Sequence, residues 1–144
     1  MNIVSVNPAD GKPIKKYRAH TLKQVEQKIA QTHKAWLNWK ATSHDERSRL
    51  LTDMAGILQT RKTEFAILMA HEMGKPIAQG VAEIEKCASV CQYYAANAAT
   101  YLKDQLIETE ASKSFVSFQP IGVVLAIMPW ISPFGRYSAS LLQH

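Results

Sequence analysis

Val123-Val124-Leu125-Ala126-Ile127-Met128 is a continuous apolar run with β-branched members, entered through Pro120-Ile121-Gly122 and closed by Pro129. A run of this kind fits a strand buried on both faces, as in a parallel sheet covered by helices. Parallel neighbours are reached only through crossovers of roughly a dozen or more residues. Fifteen residues follow Pro129, so any sheet built on this strand is expected to be incomplete within the chain.

The segments upstream read as helical. Ile3-Val4-Ser5-Val6 is expected as a short strand, closed by the Asn7-Pro8-Ala9-Asp10-Gly11 turn. Thr21 is placed to cap a helix whose apolar face holds Leu22, Val25, Ile29 and Trp36. Ser43 with Glu46 has the spacing of a capping box for a second helix, striped by Leu51, Met54, Ala55 and Leu58. A third carries Phe65, Leu68 and Met69, and Gly74 followed by Pro76 stops it. A long fourth helix is expected from Ile77 to about Leu102. Its positions Ile77, Val81, Ile84, Ala88, Cys91, Ala95, Ala98 and Leu102 recur at alternating steps of three and four. That seam suits a coiled-coil dimer or, given its small residues, a core helix packed closely by others; the core helix is favoured. Asp104 to Ser114 reads as a polar loop, and Ser114-Phe115-Val116-Ser117-Phe118-Gln119 alternates as a strand with one wet face.

Composition narrows the function classes. An apolar fraction of 47% with 20% charged residues describes a globular chain. At 144 residues it could bury about 70% of its unfolded surface. The net charge of +5 raises nucleic acid or a membrane surface as partners. The basic residues, however, are spread along amphipathic segments, with runs no longer than Lys15-Lys16 and Arg61-Lys62. Solvated faces account for them, so neither partner is expected. Met1 opens no charged-then-apolar leader, and no apolar stretch approaches the ~20 residues that span a bilayer. A cytoplasmic location is the expectation.

Cys87 and Cys91, the two cysteines, sit four residues apart on the long helix. Neither fitting metal-ligand partners nor an electropositive setting stands out around them, and both are expected as buried core residues. His71-Glu72 opens like a zinc-protease motif, but Lys75 stands where the second histidine is needed. No metal site is expected.

Several short motifs carry a resemblance. Glu72-Met73-Gly74-Lys75-Pro76, Gln92-Tyr93-Tyr94-Ala95, Pro120-Ile121-Gly122-Val123-Val124 and Ile127-Met128-Pro129-Trp130 fall in the order found in NAD(P)-dependent aldehyde dehydrogenases. Asn7-Pro8-Ala9-Asp10-Gly11, Trp39 and Glu46-Arg47 are similar to the opening of the same family. The first motif looks most like the succinate-semialdehyde dehydrogenase branch. The resemblance covers residues 1–130 and corresponds to roughly the first third of a subunit. It implies an α/β fold, with an N-terminal helical part plus the first strand of a Rossmann-like cofactor domain, incomplete here. Residues 114–120 resemble part of a β-extension used in subunit assembly.

After Trp130 the family pattern continues with asparagine, phenylalanine, proline and phenylalanine, whereas this chain continues Ile131-Ser132-Pro133-Phe134-Gly135. Removing one nucleotide from a suitably chosen codon series for the family stretch gives Ile131 through His144 and then a stop. Residues 131–144 are therefore expected to be a frameshifted tail.

The chemistry that the resemblance implies is oxidation of an aldehyde such as succinate semialdehyde to the carboxylate. A cysteine thiolate attacks, hydride passes to NAD or NADP, a glutamate serves as general base, and an asparagine side chain helps hold the oxyanion. The asparagine position is Ile131, and the cysteine and glutamate have no counterpart, so no catalytic residue is assigned. Ile127, Met128, Pro129 and Trp130 resemble the strand end along the cofactor's ribose side, a partial cofactor site. A dinucleotide crevice needs strands on both sides of a switch point, so the isolated chain is expected to bind no cofactor and to be inactive. Other readings are a noncatalytic module that docks on intact dehydrogenase subunits, and an unrelated helical binding protein. The unpaired apolar edge also predicts marginal stability and self-association.

Overall fold

The computed structural model describes residues 2–128 and Phe134. Pro129, Trp130 and the expected frameshifted tail, Phe134 apart, lie outside the described residues.

The chain opens with β1 (Asn2–Val6) and β2 (Pro13–Arg18), an antiparallel hairpin that sets Ile3 opposite Tyr17 and Val4 opposite Lys16. Its turn is built by short side chains. Asn7 Oδ1 accepts from Ala9 N at 2.9 Å, Asp10 Oδ1 accepts from Lys12 N at 3.0 Å, and Gly11 takes a φ of 70°. Here the sequence reading is corrected, for it expected the first strand but not its partner. Lys15, Lys16 and Arg18 hide β2 from an apolar-pattern reading, whereas the Asn-to-Gly turn was itself the hairpin signal.

Helices α1 (Leu22–Trp39) and α2 (His44–Thr60) begin at the expected caps. Thr21 Oγ1 accepts from Gln24 N while Gln24 Oε1 accepts from Thr21 N at 2.9 Å, a reciprocal box that satisfies donors left open by the first turn. Ser43 Oγ accepts from Glu46 N at 3.2 Å. Arg47 joins the two helices. Its guanidinium donates to Trp39 O and Thr42 Oγ1, both at 2.9 Å, and lies over the Trp39 ring at 5.4 Å. α3 (Lys62–Met73) stops at Gly74, whose φ of 73° is left-handed, and α4 (Ile77–Tyr101) follows Pro76. A Cβ on Gly74 would meet Pro8 Cγ at 3.3 Å, so the first hairpin's turn rests on the α3–α4 link.

The core lies where α2 and α3 pack on α4, and holds Ala55, Leu58, Ala66, Met69, Ile84, Cys87, Ala88 and Cys91. The middle of the expected seam, Ile84, Ala88 and Cys91, is buried, whereas its first member Ile77 is exposed. The seam thus faces neighbours within the chain, as a core helix does. Lys62 bridges to Glu85 at 2.5 Å between α3 and α4, and Lys75 in the link pairs with Glu83. Phe134 stacks on Phe65 at 5.1 Å.

Gly80 fixes how closely α3 and α4 approach. A Cβ there would lie 2.9 Å from Ala66 Cβ and 3.0 Å from its Cα. Gly80→Ala therefore forces the helices apart. Overpacking costs about 1–3 kcal/mol, against a gain of about 1 kcal/mol in helix propensity. A net fall in thermal midpoint is expected, read by far-ultraviolet circular dichroism; a rise would show that the helices part freely.

Beyond α4, β3 (Gln105–Ile107) and β4 (Ser114–Val116) form a second antiparallel hairpin. The loop expected from Asp104 to Ser114 is thus partly strand, because Leu106 and Ile107 find partners in Phe115 and Ser114. The strand expected through Gln119 ends at Val116. Residues 123–128, expected as a buried strand, belong to no sheet, and Leu125 and Ile127 are each 85% exposed. A strand is buried on both faces only by covering layers, and the described residues supply none over it. The chain accordingly keeps 10933 Å² accessible, against about 23,300 Å² for its unfolded state. It buries a little over half of that surface, less than its length led us to expect.

Candidate functional site

The described part of the expected cofactor site is the end of the apolar run. Ile127 is exposed and Met128 half-buried; Pro129 and Trp130 lie outside the described residues. A groove of about 610 Å³ opens nearby, between α1 and the start of the run, with Glu26, Ile29, His33 and Trp36 on one wall and Ile121 and Val123 on the other. Ile127 and Met128 do not line it. Glu26 and His33 were not singled out in the sequence, though seven residues apart on one helix they share a face. His33 leans on Trp36 with ring centres 5.4 Å apart.

Other polar groups near the core are occupied with one another. Lys75 and Glu83 are paired at the α3–α4 link, and Arg61 meets Glu64 through two hydrogen bonds of 2.8 and 2.6 Å. Hydrogen bonding to Glu64 raises the Arg61 pKa, and the same contact lowers that of Glu64. At the far end of α4 the Tyr93 and Tyr101 hydroxyls bond to each other, which raises the Tyr101 pKa. These are structural pairings, and none places a base beside a nucleophile.

The motif residues likewise turn out to shape the chain. Gly74 supplies the left-handed cap, Lys75 the link's ion pair, Arg47 the tie to Trp39, and Asn7 to Gly11 the hairpin turn. No cluster among the described residues has three metal-capable side chains together.

Cys87 and Cys91 are buried, each 1% exposed, and neither is in a disulfide. Burial pushes the Cys91 thiol above its ordinary value, and Cys87 beside it adds to the shift. The fold thus favours the neutral thiol, the opposite of what an attacking thiolate needs. Because this folded pKa is raised, its stabilising contribution is complete below the ordinary thiol value of about 8.5 and is lost as pH rises through the folded value. Both cysteines are expected to react with an aromatic disulfide reagent at pH 8 at least ~10-fold more slowly in the native chain than in urea, since reaction waits on opening of the core. Equal rates in the two states would contradict the packing.

No helix among the described residues is long and apolar enough to cross a membrane. The profile of the Aldehyde dehydrogenase family matches residues 1–142. A probable succinate-semialdehyde dehydrogenase [NADP(+)] of Synechocystis sp. is 41% identical over 99% of the chain, and covers with it 32% of its own length. A succinate-semialdehyde dehydrogenase [NADP(+)] 1 of Mycobacterium bovis is 37% identical over 99% of the chain and 33% of its own length. The chain thus spans about a third of the curated relatives it matches. A putative aldehyde dehydrogenase from Burkholderia cenocepacia superposes with a TM-score of 0.89 at 28% identity, over 98% of this chain and 30% of that one. In fold alone, succinic semialdehyde dehydrogenase from Streptococcus pyogenes, solved with NADP+, is similar at a TM-score of 0.90 and 24% identity, over 96% of this chain and 31% of its own.

Proposed function

Since the chain belongs to the aldehyde dehydrogenase family, we propose that it is the N-terminal part of the cofactor-binding domain of an NADP-dependent succinate-semialdehyde dehydrogenase. We propose also that these 144 residues by themselves oxidise no aldehyde. Family membership sets aside the reading as an unrelated helical protein. The observation that carries the proposal is the 41% identity to the Synechocystis enzyme across 99% of the chain, together with the third of that enzyme's length it spans.

The described residues alone do not fit a dinucleotide. Residues 123–128 have no ladder partner among the described residues, so the described residues form no crevice between strands to hold a pyrophosphate. In this reading Ile127, Met128, Pro129 and Trp130 form one wall beside the ribose. The Gly74 cap and the Arg47 tie orient α1 to α4, and the buried seam of α4 gives them a fixed base.

A chimera tests the proposal. Residues 1–128 replace the corresponding segment of the Synechocystis relative, and NADPH formation from succinate semialdehyde is followed at 340 nm, roughly the reduced nicotinamide band. Activity within about tenfold of the relative is expected, because the segment supplies a scaffold and a cofactor wall while the reacting groups lie elsewhere. A folded chimera that binds NADP but oxidises only unrelated aldehydes would defeat the succinate-semialdehyde assignment. One that folds without binding NADP would defeat the cofactor-wall assignment.

A further inference from the structure

We propose that Cys87 and Cys91 form a latent dithiol that captures a trivalent arsenical when the helical core opens. The two side chains stand four residues apart on α4 and belong to one buried cluster with Leu58, Met69 and Ile84. Each is 1% exposed. The elements that pack over them are α2 and α3, so the pair keeps this setting whatever lies beyond the long helix. Cys87 is also near enough to add to the raised pKa of Cys91, as neighbouring sulfurs do.

Spacing decides which bond the pair can make. Residues at i and i+4 of a helix hold their Cβ atoms about 5–6 Å apart, whereas a disulfide needs roughly 3.5–4.5 Å. Oxidation therefore cannot close a disulfide here without unwinding the turn. A bridging atom reaches further. With two bonds of about 2.3 Å, the length of a zinc–thiolate bond, it separates its sulfurs by roughly 3.5 Å. Zinc itself would need further ligands, and no cluster among the described residues brings three metal-capable side chains together. A monosubstituted arsenical needs two sulfurs only, because its own carbon carries the third bond.

The reaction balances without a redox step. Two S–H bonds and the arsenic–oxygen bonding of the arsenoxide break, two As–S bonds form, and the oxygen leaves with both protons as water. Neutral thiols, which burial favours here, supply those protons. A core packed to ordinary density has no room for the reagent. Capture thus waits until α2 and α3 part from α4, and the bridged pair then holds them apart.

Phenylarsine oxide and the full 144-residue chain make the test. Intact mass is expected to show a single phenylarsenic bridge per chain, removed by dimercaptopropanol but not by mercaptoethanol at the same thiol concentration. The second As–S bond is intramolecular, so Cys87→Ala and Cys91→Ala should each lower retention at least ~10²-fold. Ser89→Cys combined with Cys91→Ala keeps two thiols at i and i+2, which do not face each other, and should behave as the single-thiol variants do. Because the reagent binds the opened state, the thermal midpoint should fall as capture proceeds. Absence of an adduct overturns the proposal. So do an adduct lost to mercaptoethanol, equal retention by a single-thiol variant or by the i, i+2 pair, and a midpoint unchanged at full capture. Competition between the two reagents is read on the unsubstituted chain, so it decides the matter even where a core variant does not fold.

Discussion

Purified chain of these 144 residues is expected to form no NADPH from NADP and succinate semialdehyde, or from any other small aldehyde, above a boiled control. The family chemistry needs a thiolate within reach of the aldehyde, and the sequence holds two cysteines. Both lie in the α2–α3–α4 core at 1% exposure, and burial holds the Cys91 thiol in its protonated form. Aldehyde cannot approach either sulfur without opening the core. Loss of a nucleophile from an enzyme that works through a covalent intermediate costs on the order of 10⁶ in turnover. Loss of a single oxyanion donor costs roughly 10²–10³, and Ile131, at the position where the resemblance calls for asparagine, carries no donor. The assay is absorbance of the reduced nicotinamide. Turnover that disappears in Cys87→Ser or Cys91→Ser would overturn both the proposed inactivity and the structural role of these cysteines.

The largest stability effect is expected at Ile84. It is fully buried at the centre of the α4 seam, in one cluster with Leu58, Met69 and Cys87. Ile84→Ala removes apolar atoms from contact and leaves a cavity that the flanking helices fill only in part, at a cost of roughly 2–5 kcal/mol. Domains are typically stable by only about 5–15 kcal/mol, and this one buries little over half of its unfolded surface. The variant should therefore show a much lower urea midpoint and a measurable unfolded fraction without denaturant. Leu22→Ala, at a position 84% exposed, should change stability by no more than about 0.5 kcal/mol. Similar midpoints for the two variants would show that the core lies elsewhere.

The motifs shared with the family were legible as sequence, but their work was not. Gly74 could be read as a helix stop from its place before Pro76, because a left-handed cap is a local requirement. That Pro8 rests on it, that Arg47 reaches back to the Trp39 carbonyl, and that Gly80 lets Ala66 approach depend on residues brought together from separate elements. The groove was less legible still. Ile29 and Trp36 appeared as one helix face, but nothing in their spacing showed that Ile121 and Val123 would stand opposite.

The sequence by itself determined the four helices, the Thr21 and Ser43 caps, the Gly74 stop and the long α4 seam, because periodicity and capping are set by residues within a few positions of one another. Tertiary structure alone decided which part of that seam is buried. It also decided the state of residues 123–128, whose sequence asks for a buried strand. Their composition fixes a preference, but ladder partners and covering layers come from elsewhere. Without such partners among the described residues, the side chains from Val123 to Ile127 are left exposed and Met128 half-buried.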